Sequence, residues 1–441
     1  MKLNVEQEVE TLAGYTVRVL GDIGEGGQGV VYRAGWRLGS ATRESALKWY
    51  PSENPTAQNS DFFHNLQRNV ASGPPDANAF LWPLDITKKM DDGSYGYVMK
   101  LAPANYAELK KILRGRVPFA SLSAIINTAR NMAKSFALLH GRGYSYQDMN
   151  AGNFFIDPQS GDVLICDNDN VAPYGTNCGI GGAPGYMAPE VVTRVKSPDI
   201  HTDRFSMAVV LFRAVFIDHP LRGRRVSDPN LTPEERDDSN LCGRNPIFIF
   251  DPADGSNRPI PGTHVNALKL WPLYPKFVRD AFLEAFSRDV MTGARMEHRK
   301  TEEEWIDLFL QLRDITVPCE ACGAETFIDP DEPQNRCVEC GRAISKLPEL
   351  RFRNRRVPLC PGAKLYKHQI DAGSDDCTTA VGEVFRHKQY PDRWAIKNQS
   401  GFSWTCGERT ILDGGMLPLI AGSSVAFGDG GKAEILMTPG A

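Results

Sequence analysis

The sequence predicts an α+β protein in which a small β unit comes first, a helical unit follows, and a second β unit ends the chain. Between residues 15 and 100, short runs rich in β-branched and aromatic residues are separated by Gly, Ser and Asp, a pattern typical of strands. From Ile125 to Leu139 apolar residues recur every three or four positions, which indicates an amphipathic helix. Two close pairs of cysteines, beginning at Cys319, separate the helical unit from the last β unit.

The composition is that of a folded globular protein. At roughly 100 to 200 residues per domain, 441 residues allow two to four domains. A net charge of −4, a charged fraction of 24% and a hydrophobic fraction of 41% exclude wholesale disorder and a surface that generally coats nucleic acid. No run of 18 apolar residues occurs, and the start MKLNVEQEVE lacks the apolar core of a signal peptide. We therefore expect a cytoplasmic protein with no membrane partner.

The first β unit contains four runs that we expect to be strands: YTVRVL, GVVYRAG, SALKWY and YGYVMKL. Between the first two, Gly24, Gly26 and Gly29 lie in a hairpin whose backbone N–H groups could approach phosphates without obstruction by a Cβ. A strand follows these glycines, whereas a dinucleotide fold needs a helix there. A merely flexible hairpin remains an alternative. Lys48 in the third run would face the phosphates, or lie in solvent as most lysines do.

The helical unit extends from about Pro103 to the paired cysteines. Its run FSMAVVLFRAVF from Phe205 is apolar on all sides, which predicts a helix through the middle of a core. Residues 218–262 form a polar insertion rich in Pro and Gly. The run EEEWIDLFLQL predicts another helix over residues 302–312, and the composition changes abruptly near Pro318.

The strongest functional signal follows the amphipathic helix. The sequence LLHGRGYSYQDMNAGNFFID resembles the catalytic loop of the protein kinase superfamily, with Asp148 at the base position and Asn153 at a metal-binding position. Further on, VLICDNDN supplies Asp167 at the other metal-binding position, and GGAPGYMAPE resembles the end of the activation segment. The run TDRFSM places Asp203 where kinases anchor their catalytic loop.

The resemblance covers roughly residues 14 to 316 and implies a bilobal protein-kinase-like fold with ATP in the crevice between the lobes. It implies that Asp148 accepts the hydrogen bond of the attacking hydroxyl, and that Asn153 and Asp167 bind Mg²⁺ or Mn²⁺. An amide and a carboxylate also suit Mg²⁺ without reference to the family, because this hard cation prefers oxygen ligands. The remaining nucleotide contacts are expected from the following residues: Gly24, Gly26, Gly29, Val31, Lys48 and Met99.

Two further residues of the motifs are expected to be structural. His140, before the catalytic loop, is predicted to be buried and hydrogen-bonded. Glu190, at the end of the activation segment, is predicted to pair with Arg299.

The chain departs from the kinase pattern at the partner of the strand lysine. Most kinases supply a glutamate from the first helix, but this chain has no Glu between Glu53 and Glu108. Gln67, nineteen residues after Lys48, is the predicted stand-in. A neutral amide gives up the charge-assisted part of the hydrogen bond, a difference on the order of 1 kcal/mol.

Two departures lie in the catalytic loop. Tyr146 and Gln147 occupy the positions of the usual His-Arg. Because that Arg normally receives a phosphate on the activation segment, activity is not expected to require phosphorylation there. Asn150 replaces a Lys, and Ala183 replaces the Thr that joins it, so a cation beside the transferred phosphoryl group is missing. We therefore expect transfer that is slow or assisted by another group.

The usual Phe-Gly after the metal-binding Asp is replaced by Asn168 and Asp169. Asp169 could be an extra metal ligand or a solvated turn residue. Since Asp148, Asn153, Asp167, Lys48 and the glycines are all present, we favour an active Ser/Thr-type protein kinase, divergent in its motifs, over a nucleotide-binding pseudokinase that acts as a signalling scaffold. A small-molecule kinase is a weaker third option, because GYMAPE is a feature of protein kinases.

The paired cysteines predict a metal site. Cys319 and Cys322, then Cys337 and Cys340, form two C-x₂-C pairs separated by fourteen residues. Four thiolates can surround Zn²⁺ tetrahedrally, and such a closed site is structural because no position remains for water. A redox pair is the alternative. The other six cysteines have no comparable spacing and are expected to be thiols, mostly buried.

The last β unit, from WAIKNQSGFSWTC onward, resembles the C-terminal half of a forkhead-associated domain, a β-sandwich that binds phosphothreonine peptides. The usual Gly-Arg and Ser-x-x-His residues cannot be placed, so a structural sandwich is at least as well supported. The order of kinase, four-cysteine ribbon and forkhead-like tail resembles the kinase of bacterial phosphorylation systems associated with tellurite resistance. That resemblance suggests a von Willebrand factor A protein and a PP2C-type phosphatase as partners.

The predicted domains are therefore an N-lobe over residues 1–102, a C-lobe over 103–316, a zinc ribbon over 317–345, a basic linker over 346–361 and a small all-β sandwich over 362–441. The arginines of the linker could bind nucleic acid, but charges in a flexible link are more often solvated, and nucleic acid is not expected as a partner. The protein substrate is not predicted.

Overall fold

A computed structural model describes residues 2–27, 29–38, 41–179, 181–329, 332, 334–428 and 430–438. The predicted first and last domains also include residues 1 and 439–441, which lie outside the described residues. The chain divides into two compact units. The first contains Met1–Ala120, Asn127–Trp271 and Asp280–Ile306, and the second contains Ser121–Ile126, Pro272–Arg279 and Asp307–Ala441.

The first unit begins with an antiparallel sheet, and the four predicted runs are among its strands. The strands are β1 (Glu8–Glu10), β2 (Thr16–Gly26), β3 (Gly29–Leu38), β4 (Ala41–Tyr50), β5 (Asp85–Ile86) and β6 (Tyr95–Met99), in the order β1-β2-β3-β4-β6-β5. One face buries Val17, Trp49 and Val98 in a core of its own. The other face packs Tyr50 and Tyr97 with Phe62 and Leu66 of a helix.

Helices form most of the rest of the first unit, and parts of three of them belong to the second unit. Helices α1 to α6 are α1 (Pro55–Gln58), α2 (Ser60–Ser72), α3 (Leu109–Leu113), α4 (Leu122–Gly141), α5 (Pro189–Val192) and α6 (Ile200–Phe216). Helices α7 to α11 are α7 (Pro233–Arg236), α8 (Val265–Leu270), α9 (Lys276–Ala285), α10 (Arg288–Thr292) and α11 (Glu302–Asp314). The predicted amphipathic helix is α4. Helix α6 is buried nearly all round, and its Phe212 packs edge-on against Phe248 and Phe282, as its uniformly apolar sequence predicts.

Short strands carry the loops of the predicted active site. They are β7 (Ala107–Glu108), β8 (Tyr144–Ser145), β9 (Phe154–Ile156), β10 (Val163–Ile165) and β11 (Ala172–Pro173). Strands β10, β9 and β7 form one antiparallel sheet, and β11 pairs with β8 in another. The hairpin of β9 and β10 therefore separates the catalytic loop from the segment that begins at Asp167.

Two buried ionic contacts brace the helical part of the first unit. Arg299 donates to both carboxylate oxygens of Glu190, at 2.7 and 2.9 Å, which confirms the predicted pair. His140 is buried, as predicted, and its ring nitrogens lie 3.2 Å from Asp203 and 2.9 Å from Glu302. Burial alone would lower the pKa of His140, but the hydrogen bonds to these two carboxylates raise it to about 9.

The second unit contains a small hairpin and two larger antiparallel sheets. The hairpin is β12 (Thr316–Pro318) with β13 (Glu325–Phe327). The six-stranded sheet has the order β15 (Arg356–Pro358), β14 (Pro348–Arg351), β23 (Lys432–Met437), β22 (Ser424–Phe427), β19 (Trp404–Cys406) and β20 (Arg409–Ile411). The four-stranded sheet has the order β16 (Lys364–Tyr366), β17 (Ala380–Arg386), β18 (Trp394–Asn398) and β21 (Met416–Pro418), and the one-turn helix α12 (Lys367–Ile370) follows β16.

These two sheets share one apolar core, to which Leu350, Ile396, Trp404 and Phe427 contribute, so the last unit is the all-β sandwich that the sequence predicts. The predicted linker over 346–361 is wrong. Its residues form β14 and β15, and β14 pairs with β23, with Leu350 opposite Ile435. The arginines therefore belong to a hairpin of the sandwich.

Within the described residues, no helix has both the length and the apolar character needed to cross a bilayer.

Candidate active site

The three glycines of the predicted phosphate loop have different structural roles. Gly26 is paired with Gly29 at the end of the β2–β3 hairpin. A Cβ at Gly24 or Gly26 would meet nothing within 4 Å, so the backbone there is open to a ligand. A Cβ at Gly29 would lie 2.3 Å from the carbonyl oxygen of Trp49. Gly29 is therefore required by strand packing, whereas Gly24 and Gly26 leave room for phosphates. Gln28, within this loop, lies outside the described residues.

Lys48 is buried on β4 beneath this hairpin and contacts two carboxylates. Its side chain is 4% exposed, and Nζ lies 2.8 Å from Oδ2 of Asp169 and 3.3 Å from Oδ1 of Asp167. Burial alone would lower the pKa of Lys48, but the charges of Asp167 and Asp169 raise it above its ordinary value. The ammonium is therefore held in the site, close to the predicted metal ligand.

The prediction that Gln67 pairs with Lys48 is wrong. Gln67 lies on the exposed side of α2, and its side chain has no hydrogen-bond partner among the described residues. Asp169 takes this role instead. The alternative that Asp169 is a solvated turn residue is also wrong, because it is fully buried.

The catalytic loop is anchored by Asp203, as its motif predicts. One carboxylate oxygen of Asp203 accepts from the backbone N–H of Tyr146 at 2.6 Å, and the other accepts from that of Gln147 at 3.0 Å. Gln147 has φ 72°, a left-handed conformation that a residue with a side chain rarely adopts. The two hydrogen bonds hold this conformation, which turns the chain just before Asp148.

Asp148, Asn153 and the segment after Asp167 converge at the end of this loop. The side-chain amide of Asn153 donates to the carbonyl oxygen of Asp148 at 2.9 Å, which leaves its Oδ1 for a cation. The amide of Asn170 donates to Oδ2 of Asp148 at 3.4 Å. Burial and the neighbouring Asp167 carboxylate raise the pKa of Asp148 to about 7, although Lys48 acts in the opposite direction. Asp148 thus has the environment of a group that can accept a proton near neutral pH.

The donors expected to hold a divalent cation fit that task chemically. Asp167 is partly exposed and has φ 52°, so its side chain leaves the end of β10 in a left-handed turn. Asn153 is buried and fixed through its amide nitrogen. An amide oxygen and a carboxylate are ligands that Mg²⁺ accepts, and ATP phosphates and water would complete its coordination.

The activation segment, residues 170–190, is bound to the catalytic loop by neutral hydrogen bonds. Nε2 of Gln147 donates to the carbonyl oxygen of Thr176 at 2.6 Å and to Oγ of Ser145 at 2.9 Å. Oε1 of Gln147 accepts from the side chain of Asn177 at 2.9 Å. Gln147 therefore holds the activation segment by neutral hydrogen bonds, whereas an Arg at this position would need a phosphate on that segment. Thr176 itself is exposed.

Asn150 does not replace the missing cation. Its Oδ1 accepts from the backbone N–H of Gly152 at 2.8 Å, so the side chain closes a turn of the loop. Val31 on β3 is opposite Lys48 in the sheet register, and Met99 is buried at the end of β6. Val31 and Met99 both contribute to the apolar cluster on the sheet face that carries Tyr50 and Tyr97. Their contact with a nucleotide remains a prediction.

The sequence motifs did not indicate the two tyrosines of this site. The hydroxyl groups of Tyr50 and Tyr97 both donate to Asp169, that of Tyr97 at 3.1 Å. Tyr50 lies two residues after Lys48 and so shares its face of the strand, which is a signal that the sequence contains. Tyr97 is the cross-strand partner of Lys48, which follows only from the register of β4 and β6.

The four predicted zinc ligands come together in the second unit. Their sulfur atoms all lie within 4.8 Å of one another, with Cys319 and Cys340 at 3.9 Å and Cys322 and Cys337 at 3.7 Å. Four sulfurs around Zn²⁺ at a Zn–S distance of about 2.3 Å lie about 3.8 Å apart. Each pair is followed by a glycine with positive φ, Gly323 and Gly341, that reverses the chain. The geometry fits a structural Zn²⁺.

The turn after β18 uses its polar side chains internally. Asn398 is fully buried, and its amide donates to the carbonyl oxygens of Phe402 and Ile411. Oδ1 of Asn398 accepts from the backbone N–H and the hydroxyl of Ser400. These contacts stabilise the turn. The resemblance to forkhead-associated domains remains a prediction.

Comparison with known proteins identifies the family. A family model described as protein kinase domain matches residues 17–237, about half of the 441 residues. No curated protein sequence matches the chain. Among solved structures, the chain is similar to a double mutant of the kinase domain of PknI from Mycobacterium tuberculosis, with 21% identity and a TM-score of 0.38, over 50% of this chain and 80% of that one. The residues that the family model matches include the glycine hairpin, Lys48 and the whole catalytic loop, and the chain belongs to the protein kinase family.

Proposed function

We propose that this protein transfers the γ-phosphoryl group of ATP to the hydroxyl of a Ser or Thr residue in a protein substrate. The observation that carries the proposal is the convergence of Lys48, Asp148, Asn153 and Asp167 in one site. The fold brings these groups together from β4, the catalytic loop and the end of β10.

Each of these residues has a role in an in-line transfer. Lys48 and the open backbone at Gly24 and Gly26 hold the phosphates. Asp148 accepts the hydrogen bond of the attacking hydroxyl and takes its proton as the new O–P bond forms and the bond to the β-phosphate oxygen breaks. A divalent cation held by Asn153 and Asp167 would supply charge neutralisation on the phosphates.

The hydrogen bonds of Gln147 support activity without phosphorylation of the activation segment. They hold Thr176 and Asn177 against the catalytic loop with no charged group involved. We expect that Thr176→Val, which removes an exposed hydroxyl and keeps the backbone carbonyl that Gln147 binds, leaves the rate of transfer within about twofold of wild type.

The decisive experiment is transfer of labelled γ-phosphate from ATP to the protein itself and to a generic acceptor protein, with Mg²⁺ or Mn²⁺. Asp148→Asn should abolish label and leave ATP binding nearly intact, because it removes the proton acceptor but no phosphate contact. Asp162→Asn makes the same chemical change at an exposed position of the first unit and should not affect transfer. Phosphoamino acid analysis of the labelled acceptor would then separate Ser and Thr from Tyr.

A scaffold that binds ATP without consuming it is the second candidate, and the environment of Asn150 favours it. Asn150 closes a turn, and with Ala183 it leaves the usual site of the Lys–Thr pair without either side chain. Under this alternative, ATP raises the melting temperature of the protein but no label is transferred, even with candidate partners present. That result with a folded wild type would refute the enzymatic proposal.

The order of kinase domain, four-cysteine ribbon and β-sandwich supports a proposal about partners. We propose a von Willebrand factor A protein and a PP2C-type phosphatase as the proteins that this kinase meets. Binding of the purified candidates, measured by calorimetry, and their phosphorylation in the labelling assay test that proposal.

A further inference from the structure

The ion pair of Lys48 is built differently from the helix-borne pair that the kinase resemblance implies, and Asp169 is its centre. Asp169 has no exposed surface. Oδ2 accepts from Nζ of Lys48 at 2.8 Å and from the hydroxyl of Tyr50, and Oδ1 accepts from the hydroxyl of Tyr97 at 3.1 Å. Both oxygens of a buried carboxylate are thus satisfied by donors from the sheet, two from β4 and one from β6.

Helix α2 is attached to the same segment by amides. Asn65 donates to the carbonyl oxygen of Val171 at 2.7 Å, and Asn69 donates to those of Val171 at 2.8 Å and Asn168 at 3.2 Å. Asn168 in turn donates to the carbonyl oxygens of Leu81 and Ile165. These contacts fix the backbone on both sides of Asp169 without any charged group from α2.

We infer that Asp169 is the residue that positions Lys48 on the phosphates of ATP, in place of a residue from α2. The lysine and its partner then belong to the sheet and to the segment that carries the metal ligand Asp167. A displacement of α2 does not by itself remove the carboxylate from the lysine. Asp169 acts through Lys48 and is a positioning residue.

The inference rests on the proposed function in one respect, namely that ATP is the ligand that Lys48 meets. It is tested by calorimetric binding of ATP to the full chain with Mg²⁺. Removing a charge-assisted hydrogen bond to a buried group should weaken ATP binding about 10- to 100-fold in Asp169→Asn. Asp61→Asn makes the same change at an exposed position of α2 and should stay within about twofold of wild type.

A double-mutant cycle separates positioning from a general loss of structure. If Asp169 acts through Lys48, then Asp169→Asn should change ATP affinity by less than about twofold in a Lys48→Ala background. An equal loss in both backgrounds would mean that Asp169 merely supports the fold. If Asp169→Asn does not fold, Tyr97→Phe, which removes one hydroxyl from the cluster, replaces it in the same cycle.

A second measurement follows the rate at which Lys48 reacts in the absence of nucleotide. An amine-acylating reagent, followed by mass spectrometry of the peptide that contains Lys48, should label Asp169→Asn at least about 10-fold faster than wild type, because the ammonium loses the nearer of its two carboxylate partners and keeps only Asp167 at 3.3 Å. Equal labelling in the two proteins would overturn the inference. Protected Lys48 in a wild type that binds no ATP would refute the proposed function and leave the positioning of Lys48 supported.

Discussion

Replacing Arg299 should be among the most damaging single changes in the first unit, and its sequence neighbour provides a control. The side chains of Arg299 and Glu190 are 3% and 9% exposed, and they form two parallel hydrogen bonds at 2.7 and 2.9 Å. Arg299 also donates to the carbonyl oxygen of His201 at 3.1 Å. Arg299→Met keeps much of the volume but leaves a buried carboxylate without its cation, which should lower the free energy of unfolding by about 3–5 kcal/mol.

Lys300 forms a more exposed pair for comparison. Its Nζ lies 2.6 Å from Glu284, the two side chains are 18% and 43% exposed, and Arg295 also approaches Glu284. Water screens this pair, so Lys300→Met should cost about 0–1 kcal/mol. Urea unfolding of the full chain, followed by far-ultraviolet circular dichroism, measures both costs.

Equal costs for the two variants would refute the role of burial. If Arg299→Met lowers the free energy of unfolding no more than Lys300→Met does, burial of the Arg299–Glu190 pair does not determine how much that pair contributes to stability. The double variant Glu190→Gln with Arg299→Met is the further check. It should recover part of the lost stability, because most of the cost of the single variant comes from an unpaired buried charge.

Three further predictions concern other parts of the molecule. The pKa of His140 is raised to about 9, so the contribution of its charged form to folding stability is complete below the unfolded pKa of about 6.5 and is lost as the pH rises to 9. The free energy of unfolding should therefore fall between these pH values, and it should fall less in His140→Gln. Urea midpoints measured at several pH values would show the difference. Gly29→Ala should destabilise the protein by about 1–3 kcal/mol, because its Cβ meets the Trp49 carbonyl. Gly24→Ala should leave stability nearly unchanged and weaken ATP binding. Thermal unfolding and calorimetry distinguish the two variants, and equal stability losses would contradict the geometry. The four-cysteine cluster should bind one zinc per chain, as measured by elemental analysis. Removing the metal with a chelator should lower the stability of the second unit, and hydrogen exchange in β12 and β13 should become faster. Exchange rates that the chelator leaves unchanged would argue against a structural metal.

Sequence alone predicted the contacts that depend on short motifs. The anchoring role of Asp203 followed from the resemblance to kinase motifs, and the structure shows that Asp203 accepts hydrogen bonds from two backbone N–H groups of the catalytic loop, 56 and 57 positions away. The pair of Glu190 with Arg299 was predicted from the resemblance to kinase motifs, because the two residues are 109 positions apart and other basic residues lie closer to Glu190 in the sequence. The four cysteines form a site whose ligand spacing is nearly independent of the rest of the fold.

The missed features depend on distant strands. Asp169 is 119 residues from Tyr50 and 72 residues from Tyr97, and nothing in its local sequence distinguishes a buried carboxylate from a solvated one. The prediction for Gln67 failed because its position nineteen residues after Lys48 does not determine which face of α2 is buried, and Gln67 lies on the exposed face. The β14–β15 hairpin was missed because its arginines indicate solvent exposure, whereas its pairing with β23 joins residues more than 80 positions apart.

The second unit contains a segment that is synthesised long before its partners. Ser123, in the segment Ser121–Ile126, donates through its backbone N–H and its hydroxyl to Glu325 beside the first cysteine pair, at 2.7 and 2.6 Å and a separation of 202 residues. At roughly 5–20 residues per second, the ribosome needs about 10–40 s to reach Glu325 after Ser123 has been added. During that interval the start of α4 lacks these contacts. The contacts between Ser123 and Glu325 can therefore form only after the ribbon has been translated. A nascent chain that stalls or ends near residue 316 lacks them.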